Sequence, residues 1–265
     1  LLNLFVFSVF LNDVYGQGSL KDLGIRSIGL LPSNPFYFVK EWTRNVKRAL
    51  TFDDQKKIEL SLNIVNEKMA ELKKITEISP QNKVSVSSAL DSYQSNLDYL
   101  ISQATVSRGI NLNKLLDLSL KHAELLEEFA HQFSDYQELT ERLRVADASV
   151  ISLIALVPQK LDKLENFRSY FQEVVTAQDY DFKEFKAAEV LERLGAVLPE
   201  GPFKTEVDKL KQDLMLRFSV SLQKEFNIED FSQLPIEPMV RLKILDETRK
   251  SITDQDLKNQ LSINK

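Results

Sequence analysis

Proline placement constrains the fold of this chain more than any other feature of the sequence. The phrase Leu-Pro-x-x-Pro occurs three times, starting at Leu31, Leu198 and Leu234. Proline has no backbone N–H and a fixed φ, so it suits the first turn of a helix and disrupts a helix interior. A periodic apolar run follows each copy, which favours helix starts over a polyproline ligand for an SH3-like domain. Pro80 and Pro158 are likewise predicted to open helices.

Apolar residues between the prolines recur every three or four positions, as they do on one face of a helix. Glycine and proline are absent between Ile110 and Val157, so this segment is either one very long helix or two helices. We favour a break at residues 134–137, whose Ser-x-x-Gln pattern is typical of a capping box. The predicted apolar stripes are Val39, Trp42, Val46, Ala49 and Leu50; Ile58, Leu62, Val65, Met69, Leu72 and Ile75; Leu90, Tyr93, Leu97, Leu100 and Ile101; and Leu115, Leu118, His122, Leu126, Phe129, Phe133, Tyr136, Leu139 and Leu143.

Capping residues predict where individual helices begin and end. Thr51 and Asp54 fit a capping box before the second helix, and Ser79 is predicted to cap the third. Gly109 and Gly195 are predicted to stop helices. Further helices are predicted at 159–177, 182–194, 203–225, 237–249 and 254–262.

The predicted fold class is therefore all-α, with about eight or nine helices in a bundle or an array of antiparallel helical hairpins. We expect one helical domain at 30–135 and further hairpins at 136–265. Pro158, Pro199 and Pro235 are spaced by about the length of a helix pair, which suggests weak repeats in the second part.

The first residues of the chain bear on its compartment. Residues 1–11 are mostly apolar; they are too short to span a bilayer, which takes about 20 residues, but they fit the apolar region of a signal peptide. Val14 and Gly16 fit the small-residue rule for cleavage after position 16. We expect residues 1–16 to be a truncated signal peptide, 17–29 a loop, and the protein to be exported to the cell surface, the periplasm or the medium. The alternative is an intracellular adaptor that retains this segment.

Three stretches carry a family resemblance: residues 30–42 (LLPSNPFYFVKEW), 49–53 (ALTFD) and 67–71 (EKMAE). They resemble an uncharacterised family of exported or surface proteins of bacteria and some archaea, catalogued as domain of unknown function 5667. The resemblance implies a helical bundle and export, and it carries over no catalytic residue. In physical terms, Pro35 would start a helix, and Phe36, Tyr37 and Trp42 would supply aromatic core.

Metal and catalytic chemistry has few candidates in this composition. The chain has no cysteine, which excludes disulfides, thiolate metal sites and cysteine nucleophiles. Glu128 and His131 have the Glu-x-x-His spacing of di-iron bundles and are weak metal candidates. The second half of such a site is missing, because Ser119 stands at that spacing before His122; a surface ion pair is the favoured role. His122 lies on the apolar stripe and is predicted to be a satisfied core histidine.

A basic stripe on the first helix is the one charge feature that stands out. Lys40, Arg44, Lys47 and Arg48 are predicted to lie opposite the apolar stripe of that helix. Such a stripe is either a solvated face, which we favour, or a contact for an anionic surface such as lipid headgroups or acidic wall polymer. The formal net charge of −5 argues against nucleic-acid binding.

These observations predict a non-enzymatic, exported helical domain for cell-surface structure or protein–protein interaction, with self-association or a protein partner and without a cofactor. No phosphate-binding loop, dinucleotide fingerprint or nucleophile elbow is present in the sequence. One alternative is a carboxylate-rich bundle that binds a metal or small ligand, and another is the intracellular adaptor.

Overall fold

The chain is all-α in the part that the computed structural model describes, which comprises residues 23, 25, 27–32, 34–107, 110–161, 163–178 and 183–225. The predicted fold class is confirmed: these residues form eight α-helices and one 3₁₀ helix, Val157–Lys160, and no strand. The helices are α1 (Tyr37–Leu50), α2 (Asp54–Ile78), α3 (Lys83–Val106), α4 (Leu112–Gln132), α5 (Gln137–Leu156), α6 (Glu165–Ala177), α7 (Lys183–Val197) and α8 (Pro202–Glu225).

The chain divides near Val174 into two compact units, one containing α1 to α5 and the other α7 and α8. Every helix of the described residues is too short or too polar to cross a lipid bilayer. The predictions for the signal peptide, for Gly109, for the proline phrase at Leu234 and for helices at 237–249 and 254–262 lie outside the described residues.

Helices α2 to α5 form a four-helix bundle at the centre of the first unit. Both α2 and α5 pack against α3 and α4. Short connections at 79–82 and 133–136 join α2 to α3 and α4 to α5, so each pair is an antiparallel hairpin. The apolar stripes predicted for these helices are buried, except at half-buried Ile101 and exposed Tyr136. Periodicity therefore identified this core correctly.

The turn between α4 and α5 confirms the predicted helix break but not the predicted capping box at Ser134. Tyr136 occupies the N-cap position of α5 and makes no capping hydrogen bond. Instead, the Thr140 hydroxyl donates to the carbonyl of Phe133 at 2.8 Å. The ammonium of Lys83, from α3, lies 4.5 Å and 3.7 Å from the ring centres of Phe133 and Tyr136. These cation–π contacts bind the turn between α4 and α5 to the start of α3.

Three helices of the first unit begin at a side chain that caps the backbone. Asp53, Asn82 and Asn111 each accept a hydrogen bond from the backbone N–H three positions later, at 2.8, 3.1 and 3.0 Å. The predicted caps Thr51 and Ser79 end the preceding helices instead. The predicted helix starts were therefore wrong by two or three residues, because a neighbouring Asp or Asn made the cap.

Substituting Asp53 with alanine should destabilise the first unit by about 1 kcal/mol, because the amide of Lys56 loses its acceptor. Thr51→Ala is the matched control, since the Thr51 hydroxyl only donates to the Lys47 carbonyl at 2.7 Å. We expect it to cost no more than about 0.5 kcal/mol. Urea unfolding followed by circular dichroism measures both values. A larger loss for Thr51→Ala would mean that the capping box predicted from the sequence is the one that matters.

The described prolines lie at or before the start of an α-helix, except Pro158, which lies in a 3₁₀ helix. Pro202 is the first residue of α8, and Pro35 lies two positions before α1. Pro80 is in the turn that leads to α3. Pro158 lies in the first turn of the 3₁₀ helix, so the long helix predicted from position 159 begins only at Glu165.

Helices α7 and α8 form an antiparallel hairpin in the second unit. The rings of Phe185 and Phe218 meet across it, with centroids 5.4 Å apart. Gly195 was wrongly predicted to stop a helix, because it lies inside α7, which continues to Val197. A Cβ at this position would lie 3.5 Å from the Asp208 carboxylate of α8, which is an ordinary van der Waals contact.

Candidate functional site

Helix α1 is placed by a turn that the proline phrase forms. The backbone N–H of Asn34 donates to the Leu31 carbonyl at 2.8 Å, and that of Tyr37 donates to the Asn34 carbonyl at 2.9 Å. The Asn34 side chain accepts from the N–H of Phe36 at 2.9 Å. These bonds satisfy backbone groups before the first helical turn and set the direction in which α1 leaves the turn.

The side of α1 that faces the bundle is polar. Seven side chains of α1 and α2 meet there, and we call this group the α1–α2 charge cluster. Its members are Tyr37, Lys40, Glu41, Arg44, Glu67, Lys68 and Glu71. It holds three cations and three carboxylates, so its formal charges balance.

Arg44 is the centre of this cluster on α1 and is only 6% exposed. Its guanidinium donates to Glu71 at 2.8 Å, to Glu67 through Nε at 3.1 Å, and to Glu41. Arginine presents a planar fork of five donors, which suits it to several carboxylates at once. Arg44 therefore ties one helix to two positions on the other.

Lys68 and Glu71 are the buried members on α2, each 1% exposed. The Lys68 ammonium donates to Glu41 at 2.6 Å and to the Tyr37 hydroxyl, which in turn donates to Glu71. Lys40 reaches Glu71 at 2.7 Å. Among the residues that the structure describes, every partner of these two buried charges outside α2 comes from α1.

The cluster keeps the buried Glu71 carboxylate ionised. Burial by itself would raise the pKa of Glu71, but the charge of Lys68 and the hydrogen bonds from Lys40 and Tyr37 lower this pKa below its usual range. Burial raises the pKa of the Tyr37 phenol, and the neighbouring Glu71 carboxylate raises it further. Each ionised group is therefore engaged by another member, and the arrangement fixes α1 on α2 rather than presenting a charge to a ligand.

Most of the predicted basic stripe contacts side chains of α2 and α3 and is not the solvated face that we expected. Lys40 and Arg44 belong to the charge cluster, and Arg48 donates to Asn96 at 2.6 Å and lies 4.7 Å over the Tyr99 ring. Lys47 is exposed. The stripe is thus mainly an inward-facing side of α1 and not a solvated face.

The opposite side of α1 is apolar and faces outward. The residues of this side form what we call the outer face of α1: Phe38, Val39, Trp42, Val46, Ala49 and Leu50. Val46 is half-buried and the others are exposed. Phe38, Trp42 and Leu50 are each 66% exposed. The predicted aromatic core was therefore wrong for Phe36 and Trp42, which are both exposed. The physical reason is that Lys68 and Glu71 need opposite charges, and only the polar side of α1 supplies them.

A second buried polar group lies inside the bundle, at His122. Its Nδ1 lies 3.0 Å from the Tyr93 hydroxyl and its Nε2 lies 2.8 Å from the Asn66 side-chain oxygen. The Asn66 amide nitrogen donates to the Leu23 carbonyl at 3.3 Å, which fixes the orientation of the amide. His122 therefore donates through Nε2 and accepts at Nδ1. The prediction of a satisfied core histidine is confirmed.

The candidate metal pair lies at the end of α4. His131 is exposed, and its Nε2 lies 4.0 Å from the Glu127 carboxylate, one turn earlier. Glu128 is half-buried on the same helix. Among the residues that the structure describes, no three His, Asp or Glu side chains come together as a metal site would require.

Family membership rests on a segment that contains all of these features. Residues 29–200 match a family described as a domain of unknown function, DUF5667, and this segment is more than half of the chain. The chain belongs to this family. The DUF5667 segment includes α1 to α7, so it reaches beyond the stretches at 30–71 that carried the resemblance. No curated protein and no solved structure matches the chain.

Sequence reasoning missed the charge cluster of this DUF5667 chain, although a signal for it exists. Tyr37, Glu41, Arg44 and Arg48 recur at helical spacing, as an apolar stripe would. They mark a second periodic face on α1, which is the one that packs. Glu67, Lys68 and Glu71 supply complementary charges next to the apolar stripe of α2.

Proposed function

We propose that this chain is a non-enzymatic interaction domain of the cell envelope, and that the outer face of α1 is its docking surface for protein. The observation that carries the proposal is the orientation of α1, which buries its charges on α2 and exposes its apolar side. Contiguous exposed apolar surface on a folded domain marks an interaction site more often than scattered apolar residues do. Export is supported by the signal-like residues 1–16.

The rest of the first unit provides a rigid support for this surface. The bundle is built from antiparallel hairpins with an apolar core, and α1 is attached to it through the balanced charge cluster. A helix held in this way presents its aromatic side chains in fixed positions, which lowers the entropy cost of binding. Aromatic residues are also the side chains most enriched at the centres of protein interfaces.

An anionic lipid or wall polymer is a weaker candidate for the same face. Helices that lie on anionic membranes carry Lys and Arg beside their apolar side. In α1, Lys40 and Arg44 pair with carboxylates of the chain and Arg48 turns towards α3, which leaves Lys47 exposed. A protein partner therefore fits the distribution of charge better.

Site-specific photo-crosslinking in native cells tests the proposal. A photo-reactive residue at Val39 should give a crosslink to protein, because Val39 lies on the outer face of α1. The same residue at Val145, which is exposed on α5 at 53%, is the matched control and should give none. Crosslinks to lipid alone at Val39, or equal yields at both positions, would contradict the proposal.

A further inference from the structure

We infer that the occupant of the outer face of α1 is a second copy of the chain, bound through antiparallel pairing of α1 with its symmetry mate. This inference rests on the proposed function, since it names the partner of the same surface. Three observations support it: the absence of charge within the face, the area that the face offers, and the match between its two halves.

The outer face carries no ionisable side chain. Its members Phe38, Val39, Trp42, Val46, Ala49 and Leu50 are all apolar, and the exposed Thr43 and Asn45 beside them are uncharged. The exposed Lys47 belongs to the side of α1 that carries Lys40 and Arg44. Two copies can therefore approach without bringing like charges together. Juxtaposed like charges would strongly disfavour association. The charges of α1 that would repel a copy are mostly neutralised on its other side.

The exposed apolar area is close to what a specific dimer requires. A buried aromatic side chain contributes about 150–250 Å². Phe38 and Trp42 on the face, and Phe36 one position before α1, are each about two-thirds exposed, so together they offer about 400 Å² per copy. Val39 and Leu50 add about 100 Å². Two copies would bury about 1,000 Å² of apolar surface, which reaches the size of a specific interface before any polar area is counted.

Antiparallel pairing matches large side chains with smaller ones. A two-fold axis opposite the middle of α1 places Phe38 across from Leu50, Trp42 across from Val46, and Val39 across from Ala49. Each contact then occurs twice, as isologous two-fold interfaces require. Antiparallel helices also bring opposite ends of their dipoles together, which is favourable.

Trp42 is the single tryptophan of the chain, so its fluorescence reports this face directly. We expect sedimentation equilibrium of the full chain to show a dimer at micromolar concentration, and dilution to shift the Trp42 emission to longer wavelength as the ring meets water. Phe38→Asp should weaken dimerisation about thirtyfold or more, because it places a charge against the apolar Leu50 of the other copy and does so twice in the dimer. Val145→Asp on α5 should leave the dimer unchanged.

Cysteine pairing tests the orientation, because the natural chain has no cysteine. In the antiparallel dimer, an equal mixture of Val39→Cys and Ala49→Cys proteins should form the mixed disulfide. Each variant alone should not, since equivalent positions lie about 15 Å apart along the paired helices at 1.5 Å per residue. Disulfides formed by Val39→Cys alone would overturn antiparallel pairing.

The remaining outcomes separate this inference from the proposed function. A chain that is monomeric at all concentrations overturns the inference, whatever the emission of Trp42. If the Val39 photo-crosslink then reaches a different protein, the proposed function stands without the dimer. If it reaches lipid alone or nothing, both fail.

Discussion

Glu71→Ala should destabilise the first unit by about 3–5 kcal/mol, one of the two largest effects we expect from any single substitution. The carboxylate of Glu71 is 1% exposed and pairs with Arg44 at 2.8 Å and with Lys40 at 2.7 Å. Its removal leaves Lys68, which is equally buried, without one of its two carboxylates. An uncompensated buried charge costs far more than an intact buried pair contributes. Urea unfolding at neutral pH measures the loss.

Two comparisons make this measurement specific to burial. Glu59→Ala removes an exposed partner of Lys114 and should leave the unfolding midpoint unchanged. The double variant Lys68→Met with Glu71→Leu should be more stable than Glu71→Ala, because it removes opposite charges together and fills the space. If Glu71→Ala changes stability as little as Glu59→Ala does, the cluster does not hold α1 in place.

The bundle could be predicted from the sequence because its helices follow the simplest rule, which is that apolar periodicity marks the buried face. Val65, Met69 and Leu72 on α2 are completely buried, as their spacing indicates. The same rule failed for α1, where Trp42 is exposed and Arg44 is buried. A periodicity argument treats all charges as solvated, so it cannot recognise a face whose charges have partners elsewhere in the chain.

Recognition of the charge cluster requires knowledge of which helices are neighbours. Arg44 and Glu71 are 27 positions apart, and nothing local in the sequence pairs them. The position of His122 was simpler, because it falls on the stripe of its own helix and burial follows from that stripe. Its partners Tyr93 and Asn66 lie on two other helices, so the sequence predicted that it is satisfied but could not name them.

Acidification should destabilise the first unit through His122 at a higher pH than through the carboxyl groups of Glu41 and Glu71, whose usual pKa is 4.5. Burial and, as a smaller effect, the charge of Lys121 together lower the pKa of His122 from 6.5 to about 3. The unfolded chain therefore takes up a proton below about pH 6.5, whereas the folded chain does not. The contribution of His122 to the free energy of unfolding is complete above this pH. It falls by about 1.4 kcal/mol for each pH unit below it, until the folded histidine titrates near pH 3.

The two histidines of the chain allow this effect to be assigned to one residue. Urea unfolding between pH 7 and pH 5 should show the slope in the natural protein and in His131→Gln, because His131 is exposed. In His122→Gln the slope should largely disappear, since glutamine carries no charge in either state. The difference between the natural protein and His122→Gln also removes contributions from carboxyl groups. An undiminished slope in His122→Gln would mean that His122 is not buried as the neutral acceptor of the Tyr93 hydroxyl.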